Sequence, residues 1–269
     1  MIRAWLRPGP SGVEVLAPQQ RRGVWVEITL VLLVTLGMSG LRSFVSLLDS
    51  LASPVPLAQQ TVAINVPQAR ASYLDLVGQL LTITRLVAWG ALGVFLVWRG
   101  APGVRRFTLA SLGIDRTHPG RDTAWGAGLA AAIGIPGLGL YLLARAAGLN
   151  LTVAPSTLNS AWWTVPVLVI SAFANAWAEE ALVIAYLLTR LRQLGVSENP
   201  SLLAAAVLRG SYHLYQGFGG FVGNVILGLI FGRLWQRTGR LWPLVVGHGI
   251  IDVVAFVGYA LLAPHVSWL

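Results

Sequence analysis

Seven runs of mostly apolar residues, near 24–47, 73–98, 123–147, 160–189, 201–216, 220–236 and 241–262, occupy more than half of the 269 residues. A helix needs about 20 such residues to cross a bilayer, and in lipid only elements that satisfy their own backbone hydrogen bonds can span. The chain is therefore expected to be all-α, a polytopic helical membrane bundle of about seven to eight transmembrane helices, the eighth arising if one long run splits. The run 201–216 is short for a crossing, and Gly217, Gly219 and Gly220 behind it predict a tight turn or a re-entrant piece. Only 11% of the residues are charged, far fewer than in a soluble domain.

The first run begins near Val24, after a polar tail with Pro8, Pro10 and Pro18, and it lacks the short apolar core and cleavage site of a signal peptide. It reads as an uncleaved first span. Residues 1–22 are expected to form a cytoplasmic tail and 23–269 one membrane domain without internal repeats. There is no cysteine, which removes disulfides, thiolate metal sites and a thiol nucleophile. Every one of the 19 basic residues is arginine, and they fall on alternate connections. Arg3, Arg7, Arg21 and Arg22 precede the first span; Arg99, Arg105, Arg106, Arg116 and Arg121 follow the second; Arg190, Arg192, Arg233, Arg237 and Arg240 continue the same side. The positive-inside rule makes that side, and the N-terminus, cytoplasmic in a multi-pass protein of the cell membrane. The net charge of +9 is thus topological; the partner it implies is the lipid bilayer, with no nucleic acid. Trp25, Trp98, Trp125, Trp162, Trp163, Trp235, Trp242 and Trp268 lie near span ends, as interfacial anchors do.

Ionisable residues inside a span cost at least ~3 kcal/mol each, so each requires a partner, a cavity or a function. Here they cluster in the C-terminal half: Asn175, Glu179 and Glu180, then Arg209 and His213, Asn224, and finally His248 with Asp252. At 1.5 Å per helical residue, Glu179 lies about 16 Å from Arg190, His213 about 18 Å from Ser201 and His248 about 12 Å from Arg240. Comparable depths allow these side chains to meet at one buried point, in a cavity expected to open towards the cytoplasmic side. Asn175 and Glu179 share a helix face, as do His248 and Asp252. Adjacent carboxyl groups in a low dielectric resist ionising together, so one can carry a proton. Asn224, Gly228 and Gly232 are spaced as a close-packing face. His118 and His265 lie in polar surroundings and are expected at the surface.

The segments "EEALVIAYLLTRLRQLG", "VLRGSYHLYQGFGG" and "GRLWPLVVGHGIIDVVAF" together resemble the CPBP intramembrane protease family, also called the CAAX protease or Abi family, over about 160–262. The family pattern pairs two glutamates with an arginine four positions after the second, a histidine four after a phenylalanine, and a histidine four before Asn or Asp. Glu179 and Glu180, His213, and His248 with Asp252 match it; Ile184 stands at the arginine position and Arg209 at the phenylalanine position. The resemblance implies an intramembrane endopeptidase acting on a peptide or membrane-protein substrate. In that reading Glu179 activates a water, His213 orients it or shares its proton, and His248 stabilises the oxyanion. Asp252 is best used accepting a hydrogen bond from His248, with Arg209 and Asn175 in support. A metallopeptidase version would bind Zn through His213, His248 and Glu179; the cofactor is thus either zinc or none. Two other readings of the same residues are a catalytically inactive scaffold or regulator and an ion-coupled transporter. A transporter would show inverted repeats, and none is visible in the sequence.

Overall fold

The computed structural model describes residues 13–100 and 108–262. Arg3, Arg7, Pro8, Pro10, Arg105, Arg106, His265 and Trp268 lie outside them. The chain folds into a helical membrane bundle. In chain order the elements are α1 (Pro18–Val34), α2 (Leu36–Ala52), β1 (Thr61–Asn65), α3 (Ser72–Arg99), α4 (Pro119–Ala146), β2 (Thr152–Ser156), α5 (Thr164–Gln193), α6 (Glu198–Ser211), α7 (Phe218–Thr238) and α8 (Trp242–Leu262).

Helices stand at all seven expected places, but they do not all cross. Five are long and apolar enough to span: α3, α4, α5, α7 and α8. The first run is not one straight helix. It bends by 51° between α1 and α2, at Thr35, whose hydroxyl donates to the Val31 carbonyl at 2.6 Å. Gly37 permits the bend, because a Cβ there would lie 2.7 Å from the Leu32 carbonyl oxygen. Counting that pair as one span gives six. Helix α6 has 14 residues, about 21 Å at 1.5 Å per residue, less than the hydrocarbon thickness. No eighth span is present among the described residues.

The two strands pair in parallel, Thr61 opposite Thr152 and Asn65 opposite Ser156. Since α3 and α4 run out and back between them, both strands cap one end of the bundle, and the turns at 194–197 and 239–241 mark the other. Residues 149–151 meet 216–217 at the strand end: Leu151 N–H donates to the Gln216 carbonyl and Phe218 N–H to that of Leu149, each at 2.9 Å.

Helix α5 is the axis. An all-round apolar helix must be covered on all sides, and α3, α6, α7 and α8 pack around it. From Glu180 to Leu188 its backbone is π-helical, and no residue in that stretch is more than 4% exposed. Helix α7 approaches closely on the glycine face read from the sequence: a Cβ at Gly228 would lie 2.9 Å from Ala206 Cα, and one at Gly232 would lie 2.4 Å from Leu202 Cδ1.

Two groups of residues behave otherwise than their composition suggested. Arg190 is buried rather than solvated, because Glu27 of α1 binds it at 2.8 Å and the Leu96 carbonyl accepts from it at 2.7 Å. Arg240 is likewise held, by Asp115 and Asp122. Trp163 is buried and its indole N–H donates to Ser72 at 3.1 Å, whereas Trp25, Trp98, Trp125 and Trp162 are exposed as anchors are.

Candidate active site

Three helices bring the buried polar residues together. Glu179 ends the α-helical part of α5 and Glu180 opens its π-helical part. Such wide turns re-aim side chains and recur at functional sites. Arg209 lies in the last turn of α6, Tyr212 and His213 in the turn that follows, and His248 and Asp252 one helical turn apart on α8.

Arg209 is the hub. Its Nη1 donates to Glu180 Oε1 at 2.7 Å, and its Nη2 lies 3.3 Å from Glu179 Oε2 and 3.0 Å from His248 Nδ1. The guanidinium also stands over the Phe231 ring, 5.7 Å from its centroid. A fully buried arginine is tolerable only when its charge is matched, and two carboxylates here match it, taking Nη1 and Nη2 while Nε has no partner among the described residues. His248 Nδ1 is 2.9 Å from Glu180 Oε1. Either this nitrogen donates to Glu180 or it accepts from Arg209; in both cases Nδ1 is occupied and Nε2 is the outward edge.

Glu179 is held differently. Its Oε1 accepts from Asn175 at 3.1 Å and its Oε2 from the Tyr212 hydroxyl at 2.7 Å. Asn175 also donates to Asp252 Oδ2 at 3.0 Å, so one amide separates two acids. His248 Nε2 is 3.5 Å from the same oxygen, at the outer limit of a hydrogen bond; Asn175 is therefore the closer partner of Asp252. His213 does not touch Glu179 directly. Its Nδ1 lies 3.0 Å from the Arg209 carbonyl, which can only accept, so Nδ1 carries the proton and Nε2 keeps its lone pair.

Seven of the eight in-span polar residues singled out in the sequence thus meet in one cluster; Asn224 instead donates to the Gly220 carbonyl at 3.0 Å. Sequence reasoning missed Tyr212, although a tyrosine hydroxyl in an apolar span needs a partner, and that need was a usable signal. Glu179, Glu180, Arg209 and His248 are buried, while Asn175, His213 and Asp252 are half-buried. Relative to their buried neighbours, all three stand nearer the strand end of the bundle, not the arginine-rich end.

The zinc arrangement does not fit these residues. No three His, Asp or Glu among the described residues are disposed to hold a metal ion. The cation between Glu179, Glu180 and His248 is the guanidinium of Arg209.

Residues 161–254 match the Rce1-like family, described as type II CAAX prenyl endopeptidase Rce1-like. The likeness is to a CAAX protease core and covers that segment alone. That core contains every residue of the cluster, while α1 to α4 lie outside the matched segment. No curated protein and no solved structure matches the chain. The CAAX protease family implies a membrane peptidase and hence a peptide or protein substrate. Ile184 is buried on α5, and Arg209 of α6 carries the positive charge beside Glu180.

Proposed function

We propose that this protein is an intramembrane endopeptidase that hydrolyses peptide bonds of a membrane-associated substrate with water activated by Glu179. The observation that carries this reading is the meeting of two carboxylates, two histidines and one balancing arginine inside the CAAX protease core. Oε1 of Glu179 uses one lone pair on Asn175 and keeps a second for a water, while Oε2 faces both Tyr212 and Arg209.

The steps balance without a cofactor. Water gives a proton to Glu179 while its oxygen attacks the scissile carbonyl carbon; His213 Nε2, with its free lone pair, orients that water. Charge then develops on the carbonyl oxygen, where a preorganised donor contributes most. His248 Nε2–H supplies it. Collapse of the tetrahedral intermediate breaks the C–N bond, and the proton held by Glu179 passes to the leaving amine. Glu180, bound by Arg209, serves as fixed counter-charge, while His248 Nδ1 accepts from Arg209. Asp252 and Asn175 keep the Nε2 edge of His248 and the Oε1 of Glu179 in register.

The arginine bias supports a cytoplasmic N-terminus in the cell membrane, with the strand end on the opposite face. The test is comparative proteomics of membranes from cells carrying wild type or Glu179→Ala. Membrane-proximal peptides accumulating uncut only in the variant are expected; identical peptide profiles would contradict the reading.

A further inference from the structure

The Tyr212 hydroxyl is the closest partner of Glu179, and nothing in the motif pattern calls for it. Its position is fixed from outside the family-matched segment. Helix α6 stops at Ser211, and the carbonyl of Tyr212 is one of the acceptors a helix end leaves without an intrahelical donor. Ser43 of α2 satisfies it, its hydroxyl donating at 2.9 Å. Gly40 leaves room for the Ser211 hydroxyl at this approach: a Cβ there would lie 2.6 Å from Ser211 Oγ. The Tyr212 ring also packs on His213, with centroids 4.8 Å apart. The bent N-terminal helix pair therefore fixes the turn from which both Tyr212 and His213 reach the site.

We infer that Tyr212 is the positioning residue of Glu179, anchored through its main chain by Ser43, and that helix α2 is in this way a working part of the protease site. The role rests on the peptidase reading. A carboxylate that must receive a proton from water and return it to an amine needs a fixed orientation throughout. Asn175 holds only Oε1, and Arg209 approaches Oε2 at 3.3 Å, farther than the hydroxyl. The tyrosine hydroxyl closes the second side, aiming the remaining lone pair of Oε1 at the water.

Two measurements test this, one of which does not depend on catalysis. The first is a double-mutant cycle of Tyr212→Phe and Glu179→Ala on the melting temperature of the purified protein in detergent. Coupling between the two changes is expected, because both remove the same contact; additive effects would overturn the inference. The second is cleavage of a fluorogenic peptide chosen from a library because wild type cuts it and Glu179→Gln does not. Tyr212→Phe should lower kcat about ten-fold, the equivalent of one lost hydrogen bond, with KM unchanged. Ser43→Ala should lower kcat in the same sense by less, and the two together should do no more harm than Tyr212→Phe alone. An unchanged kcat in Tyr212→Phe, or an effect confined to KM, would overturn the positioning role. If wild type cuts no peptide in the library, the peptidase reading fails together with the positioning role, and coupling in the first measurement then marks a structural contact alone.

Discussion

Arg209 of α6 places Nη1 2.7 Å from Oε1 of Glu180 on α5, so the positive charge next to the acid pair comes from a neighbouring helix and not from one turn along the same helix. Ile184, one turn along, instead contributes a methyl group to the α7 interface, where its Cδ1 would lie 3.6 Å from a Cβ at Gly232. Arg209 passes the same helix one turn away, its Cδ 3.3 Å from a Cβ at Gly228. Both positions thus border one glycine face. Removing one partner of a buried ion pair costs about 3–5 kcal/mol. Arg209→Phe is expected to lower the melting temperature sharply, and adding Ile184→Arg should restore a good part of the loss. A double variant no more stable than the single one would contradict the exchange.

Asp252→Asn is expected to keep most of the stability and activity. The side-chain carbonyl of asparagine can still accept from Asn175, the nearest partner of Asp252. Asn175→Leu should do more harm, since it removes the only group that donates to Glu179 and Asp252 at once. Comparing the initial cleavage rates of the two variants decides the order.

The turn at the arginine-rich end should respond to acid. Hydrogen bonds from Arg240, then from Thr117, hold the Asp115 carboxyl well below the usual carboxylate range. A depressed value in the fold means that this contribution is fully present above the ordinary carboxylate range and is lost as pH falls through the depressed value. Asp115→Asn should therefore lower the melting temperature at pH 7, and the gap from wild type should narrow only in strong acid. A gap independent of pH would contradict the pairing.

Hydrolysis should continue in the presence of a zinc chelator, because the charge shared by Glu179, Glu180 and His248 is a guanidinium. Loss of activity on chelation, restored by zinc, would show that His213, His248 and Glu179 rearrange into a metal site.

The members of the buried polar cluster were legible because an ionisable side chain in an apolar run has few explanations. The fold class was legible for the same reason: seven apolar runs leave only helices. What sequence could not convey was backbone detail. The π-helical stretch from Glu180 to Leu188 has the composition of any apolar helix, and the bend at Thr35 depends on one glycine meeting one carbonyl. Arg190 looked like a loop arginine because it sits among others. Its burial depends on Glu27, 163 residues earlier in the chain, and periodicity does not reveal such a pair.

The most direct measurement is peptide-bond hydrolysis by purified protein in detergent, comparing wild type with Glu179→Gln and following fragments by mass spectrometry. The substitution nearly preserves shape and removes the base. Wild type should produce defined fragments, while Glu179→Gln, with a comparable melting temperature, should produce none. Equal cleavage by the two proteins would contradict the role given to Glu179 and, with it, the proposed mechanism.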